Sequence, residues 1–141
     1  MTDSTERLVR WEPLAGLPEQ MLGTVAVVSD GKHLTVTAYY DDTALSPPVK
    51  VDFGTVEAFK VYEEFSDFLP VGLSPKMAPD PVSGRAPWPF QEVKGSGWIR
   101  RVTGRNGALN GRNWRHFCLV TVDVFLHVMT DEPFQAVRLA S

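Results

Sequence analysis

The residues of this sequence closest to recognisable chemistry are one cysteine and two histidines near its C-terminal end, Cys118, His116 and His127. An imidazole beside a thiol lowers the pKa of that thiol and can make it a nucleophile. One thiolate with two imidazoles can also bind a soft divalent metal. These three residues are therefore the candidate catalytic group.

The spacing of the three residues brings them together if residues 122 and 123 form a two-residue turn between antiparallel strands. Cys118 then pairs with His127 across the ladder, with His116 two positions along on the same face. A three-residue turn would instead place the cysteine and His127 on opposite faces. With the two-residue turn, the candidate face holds His116, Cys118, Val120, Phe125, His127 and Met129, and the apolar core face holds Phe117, Leu119, Val124, Leu126 and Val128.

The plainer interpretation of this group is a buried cysteine beside two ordinary sheet histidines, and we favour it because a free cysteine is commonly a core residue. The sequence has no CxxC, HxH or HExxH spacing and no evident fourth ligand, although structural zinc sites need four. We therefore predict no metal and no cofactor, and we favour a protein without enzymatic activity.

A second candidate site is electrostatic. The net charge of the whole chain is −3, yet the segment from Val93 to Val122 carries six basic residues and no acidic one. Such a segment can bind phosphate or nucleic acid, with Trp98 and Trp114 as stacking planes. The low sequence pI of 5.6 argues against nucleic acid, and arginines that are merely solvated or pair within the fold are the alternative. The candidate binding arginines are Arg100, Arg101, Arg105, Arg112 and Arg115.

Strands must position both sites. Residues 22–29 and 33–40 are rich in β-forming residues and flank Asp30-Gly31, which predicts a hairpin with a tight turn. In residues 49–53 apolar and charged side chains alternate, which predicts a half-buried strand, and Gly54 predicts a bulge after it. Residues 55–68 fit either a strand or a helix, and we favour a strand for the first half.

The second half of the chain adds one helix and three strands. Ser96 is typical of a helix N-cap and Gly104 of a helix end, which predicts a short helix near 96–103. Turn formers divide the rest into strands over 116–122, 124–129 and 134–139. Residues 69–90 contain six prolines and are predicted to form a packed surface loop.

The elements together predict one domain over residues 1–141, mainly β, with six to seven antiparallel strands in a sheet or open barrel and one short helix. An α+β arrangement is the alternative. The single cysteine excludes an intrachain disulfide, and the N-terminal residues lack the pattern of a secretory signal, so we expect a cytoplasmic protein. The apolar runs are too short to cross a membrane.

The run Pro-Phe-Gln-Glu-Val at 89–93, continued by Ser-Gly-Trp-Ile at 96–99, His116-Phe117 and Phe-Leu-His-Val at 125–128, resembles a family of small uncharacterised bacterial β-rich domains. Some of these are similar to immunity-type proteins encoded near toxins. The spacing of residues 51–54 and Phe59 is similar as well. The resemblance implies a non-enzymatic domain and transfers no active residue, and it departs at residues 104–115, which are longer and more basic here.

These observations lead to two functional hypotheses. The first is a bacterial interaction or binding domain, immunity-like in character, that acts on another protein through its surface. Its expected anchors are two exposed aromatic residues, Trp88 and Phe90, and the arginine segment, because tryptophan and arginine often anchor interfaces. The alternative is anion, phosphate or nucleic-acid binding through the arginines of residues 100–115.

Overall fold

A computed structural model describes residues 6–41, 46–63, 88–122 and 124–139. These ranges contain nine strands, a single α-helix, α1, over Gly97–Arg105, and a short 3-10 turn over Gly107–Leu109. The strands are β1 Arg7–Arg10, β2 Leu22–Asp30, β3 His33–Tyr40, β4 Val49–Thr55, β5 Ala58–Glu63, β6 Phe90–Lys94, β7 Arg115–Val120, β8 Val124–Thr130 and β9 Gln135–Arg138.

The described strands form two open antiparallel sheets and no closed barrel. One sheet has the order β1-β6-β7-β8-β5 and the other the order β2-β3-β4-β9. Trp11 lies between them, with its ring centroid 4.4 Å from that of Phe117 in the first sheet and 6.0 Å from that of Phe53 in the second. The mainly β prediction is confirmed, and the apolar core lies between the sheets.

The smaller sheet follows the sequence pattern closely. Strands β2 and β3 form the expected hairpin, and Gly31 supplies the positive φ of +63° at its turn. The side chains of Val49, Val51 and Phe53 are fully buried, as their alternation predicts. The pairing of β3 with β4 shifts register beside Gly54, whose φ of +70° marks the predicted bulge.

The larger sheet confirms the register on which the first candidate site depends. Cys118 pairs with His127, and His116 pairs with Met129. The inner face of β7 and β8 contributes the fully buried Phe117, Leu119, Leu126 and Val128 to the core. Val124, expected on that face, is only partly buried. The ambiguous segment 55–68 is a strand over Ala58–Glu63, and residues 64–68 lie outside the described ranges.

Two strands, β1 and β6, were not predicted. Strand β6 contains two buried polar residues, Gln91 and Glu92, in its middle. Its sequence therefore lacks the apolar pattern by which a buried strand is recognised. Of the predicted proline-rich loop, residues 69–87 lie outside the described ranges, and Phe90 already belongs to β6.

The expected exposure of Trp88 and Phe90 is wrong. Trp88 is 1% exposed and Phe90 is fully buried. The Trp88 indole Nε1–H donates to the backbone oxygen of Trp11 at 2.7 Å, and the Arg10 guanidinium lies 3.6 Å from the Trp88 ring centroid. Both aromatic residues therefore belong to the core rather than to an exposed interface.

Within the described ranges, no helix is both long and apolar enough to cross a membrane.

Candidate functional site

The site is built around the start of α1. Ser96 has extended backbone geometry and its Oγ accepts the backbone N–H of Ile99 at 3.1 Å, which makes it the predicted N-cap. The next amide, that of Gly97, donates to the carboxylate of Glu6. A capping hydroxyl and a carboxylate thus hold the first turn of α1 against the outer face of the larger sheet.

Ser96 is the first member of a hydrogen-bonded chain that includes two histidines of that outer face. Its Oγ lies 2.8 Å from His116 Nδ1, and His116 Nε2 lies 2.8 Å from His127 Nδ1. We refer to Ser96, His116 and His127 as the buried triad. All three are nearly inaccessible, with exposed fractions of 5%, 2% and 0%.

We assign one direction to the hydrogen bonds of the buried triad from the chemistry of their donors and acceptors. The Ser96 oxygen accepts from Ile99, so its proton needs an acceptor, and within the described chain that acceptor is His116 Nδ1. A neutral His116 that accepts at Nδ1 carries its proton on Nε2 and donates it to His127 Nδ1. The triad therefore runs from hydroxyl to imidazole to imidazole.

The surroundings keep His116 neutral. Burial, reinforced by the neighbouring His127 and Lys60, holds the pKa of His116 well below its ordinary value. The Trp98 ring lies at 72° to the imidazole, with the two ring centroids 4.9 Å apart. At neutral pH His116 is thus an unprotonated base held between a hydroxyl and a second imidazole.

A pocket of about 400 Å³ opens beside the Ser96 end of the triad. Its walls come from the end of β6, the turn into α1 and the residues that lead into β7. We call it the basic pocket, because three cations line it against one carboxylate. Its residues are Glu92, Val93, Lys94, Gly95, Ser96, Ile99, Arg100, Asn113, Trp114 and Arg115.

The carboxylate of the basic pocket is already paired. Arg115 donates from Nε and Nη2 to the two oxygens of Glu92, both at 2.9 Å, and Lys94 Nζ lies 3.3 Å from Glu92 Oε2. Burial alone would raise the pKa of Glu92, but the hydrogen bonds and charges of Arg115 and Lys94 outweigh it and lower that pKa. The positive charge of the pocket therefore exceeds what Glu92 neutralises.

The aromatic wall of the pocket is fixed from behind. Trp114 Nε1–H donates to the backbone oxygen of Leu109 at 2.9 Å, and the Arg112 guanidinium lies 4.6 Å from the Trp114 ring centroid. Arg112 in turn pairs with Asp131 at 2.5 Å. The indole is thus held in place before any ligand arrives.

The structure divides the predicted binding residues into separate groups. Arg100, Arg115 and Trp114 line the basic pocket, whereas Arg112 stands behind Trp114. Arg101 and Arg105 are exposed on α1 and do not line the pocket, and Trp98 packs on the histidines.

The structure places the predicted cysteine directly across the ladder from His127, as the two-residue turn predicts. The two imidazoles bond to each other, while the 2% exposed Cys118 belongs to a small apolar cluster with Val93, Val120 and Phe125. No group of three potential metal ligands occurs among the described residues. Ser96 is a partner of His116 that the sequence did not predict.

Comparison with known proteins adds no assignment. No protein-family model matches the sequence, and neither curated protein sequences nor solved structures give a significant match. The resemblance to immunity-type bacterial domains therefore stays a prediction.

Sequence reasoning missed three residues of the site: Ser96 as a partner of His116, and Lys94 and Glu92 as pocket residues. A usable signal was present for the first. Ser96 was expected to cap a helix and His116 to lie on a sheet face away from the core, and a helix that covers this face brings the two together. Lys94 and Glu92 were missed because strand β6, which places them at the pocket, was not predicted.

Proposed function

We propose that the protein is a binding domain whose basic pocket holds the anionic group of a small ligand, a phosphate or a carboxylate. The observation that carries this proposal is the excess of cations, Lys94, Arg100 and Arg115 against Glu92, around a concave space of about 400 Å³. That volume lies within the usual range for small-molecule sites, roughly 300 to 1,000 Å³.

The cations can bind an anion without losing their internal contacts. Arg115 uses Nε and Nη2 for Glu92, which leaves Nη1 for a ligand, and the Lys94 ammonium has three donors. Hydrogen bonds in which both partners are charged are shorter and stronger than neutral ones. The fixed Trp114 ring supplies a flat apolar wall for the rest of the ligand.

The test is a titration with inorganic phosphate and with adenosine monophosphate, followed by backbone and indole NMR shifts. We expect saturable shifts at Gly95, Ser96 and the Trp114 Nε1–H. Arg100→Gln should weaken binding about 10-fold or more, since a hydrogen bond to a charged group contributes roughly 1.5 to 3 kcal/mol.

A matched control comes from the same helix. Arg105→Gln makes the same change of charge but lies outside the pocket, so it should leave the affinity nearly unchanged. Equal weakening by the two variants, or shifts that do not saturate, would contradict the proposal.

Nucleic-acid binding makes a different prediction in the same experiment. A single-stranded oligonucleotide would contact the exposed Arg101 and Arg105 as well as the pocket, and its affinity would fall steeply with salt. Affinity that depends on Arg105 and on salt in this way would favour nucleic acid over a small anion.

The surface-acting, immunity-like interaction domain stays a prediction. Its two expected aromatic anchors, Trp88 and Phe90, are buried, which leaves the arginine segment as its expected contact with a protein partner. A pull-down from native cell extract that returns a toxin-like partner would support this hypothesis.

A further inference from the structure

The buried triad has the arrangement that activates a serine. A hydroxyl, a base within hydrogen-bond distance and a third group that orients the base are the common elements of covalent catalysis by serine. Here both contacts measure 2.8 Å. A plain helix cap needs only the bond from the Ile99 amide, so capping accounts for neither the bond to His116 nor the second imidazole behind it.

We propose that Ser96 is the nucleophile of an esterase site, with His116 as its general base and His127 as the residue that positions His116. The proposal rests on the anion-binding function above for its substrate class, an ester that carries a carboxylate or phosphate group. The basic pocket would bind that group and place the ester beside Ser96.

The position of the triad relative to the pocket supports this role. Ser96 lines the basic pocket, and His116 stands directly behind it, so the base meets the reacting groups at its Nδ1, 2.8 Å from Ser96 Oγ. Lys94 and Arg100 line the same space. Positive groups in a confined site stabilise the negative charge that develops on the carbonyl oxygen in the transition state.

The reaction balances with water as the only co-reactant. Ser96 Oγ bonds to the carbonyl carbon while its proton moves to His116 Nδ1, and His116 keeps its Nε2–H bonded to His127. The carbon–oxygen bond of the ester breaks, and the departing alkoxide takes the proton from His116. Water then attacks the acyl-serine, gives a proton to His116 and releases the acid, and that proton returns to Ser96.

The first experiment labels the protein with an alkyl fluorophosphonate, which bonds to an activated serine with loss of fluoride. Mass spectrometry should locate the label on Ser96. The exposed Ser29 is the internal control and should remain unlabelled. His116→Phe should slow labelling by about 10²- to 10⁴-fold, the usual contribution of a general base. No label on Ser96, or a rate unchanged in the His116 variant, would overturn the proposal.

Two variants separate loss of the nucleophile from loss of the fold. Ser96→Ala removes both the hydroxyl and the cap, whereas Ser96→Asn keeps a side chain that caps as well as serine does. Circular dichroism checks that each variant folds. A folded Ser96→Asn protein that is neither labelled nor active supports the proposal, and one that still cleaves esters contradicts it.

The positioning role of His127 has its own measurement. On 4-nitrophenyl succinate, His127→Phe should lower kcat and leave KM unchanged, because substrate binding does not involve His127. His127→Gln, which offers a carbonyl oxygen to His116 Nε2–H, should recover part of kcat. Equal kcat for the Phe and Gln variants would overturn this role.

A neutral ester distinguishes this proposal from the anion-binding function. Phosphate binding without cleavage of 4-nitrophenyl succinate or 4-nitrophenyl acetate overturns the catalytic proposal alone. Cleavage of the neutral acetate through Ser96, without phosphate binding, overturns the anion-binding function and the substrate class while it supports the nucleophile.

Discussion

The two faces of strands β7 and β8 are stabilised in different ways, although they are made of alternate residues of the same strands. On the inner face, Phe117 packs against Trp11 and Phe53. These apolar contacts require complementary shape but are not directional. The outer face joins His116 and His127 through hydrogen bonds that need a donor and an acceptor at fixed positions. On the inner face, a substitution should therefore lower the free energy of unfolding in proportion to the side-chain volume it removes. On the outer face, the loss should depend on how many hydrogen-bond partners the substitution leaves unpaired.

The largest effect should come from the inner face. Phe117→Ala should lower the free energy of unfolding by about 3 to 5 kcal/mol, because a fully buried ring between two sheets leaves a cavity. Urea unfolding measures this value. Val28→Ala, at a side chain that is 63% exposed, is the control and should stay within about 0.5 kcal/mol of the natural protein. A similar small value for Phe117→Ala would contradict the described core.

The outer face should show coupling between partners. His127→Phe leaves the His116 Nε2–H without its acceptor and should cost about 1 to 3 kcal/mol in the free energy of unfolding. Combined with His116→Phe, the loss should be clearly smaller than the sum of the two single losses. Strict additivity in this double-variant cycle would show that the two imidazoles do not depend on each other.

The pH dependence of stability should report the outer face as well. The folded protein keeps His116 neutral, while the unfolded chain takes up a proton near the ordinary pKa of 6.5. Stability is therefore insensitive to His116 above pH 6.5 and falls below it, by up to about 1.4 kcal/mol per pH unit. Urea unfolding of His116→Phe between pH 7 and 5 should show a shallower slope. An equal slope in both proteins would contradict a neutral, buried His116.

The smallest effect should come from the rim of the basic pocket. Glu92→Gln removes the ion pair with Arg115, whose side chain is 37% exposed, and solvent screening limits the cost to about 1 kcal/mol at pH 7. The pKa of Glu92 is lowered in the folded protein, so its contribution is present above pH 4.5 and is lost as the pH falls below. The difference between the two proteins in urea unfolding should vanish in that acidic range, and a difference that persists there would contradict the ion pair.

The assignment of residues to the two faces could largely be predicted from the sequence, because it depends on interactions between residues close together in the chain. A two-residue turn fixes the pairing of Cys118 with His127, and alternation then assigns each neighbour to a face. The Ser96 cap and the Gly31 turn also follow from local chemistry. Such features need no knowledge of what lies on the other side of the fold.

The features that the sequence did not predict depend on partners that are distant in the chain. Trp88 is buried because Trp11 and Arg10, far away in sequence, supply its hydrogen bond and its ring contact. Strand β6 is buried although it contains Glu92, because Arg115 neutralises that side chain across the sheet. The bond from Ser96 to His116 spans twenty residues and depends on where α1 lies.

The most direct test of the buried triad is the protonation of its imidazole nitrogens at neutral pH, measured by ¹⁵N NMR with selectively labelled histidine. The directed hydrogen bonds predict that His116 is neutral and carries its proton on Nε2, and that the His116 Nδ1 signal changes in Ser96→Ala. A His116 that carries its proton on Nδ1, or is doubly protonated, would contradict this account, since Ser96 would then have no base to receive its proton.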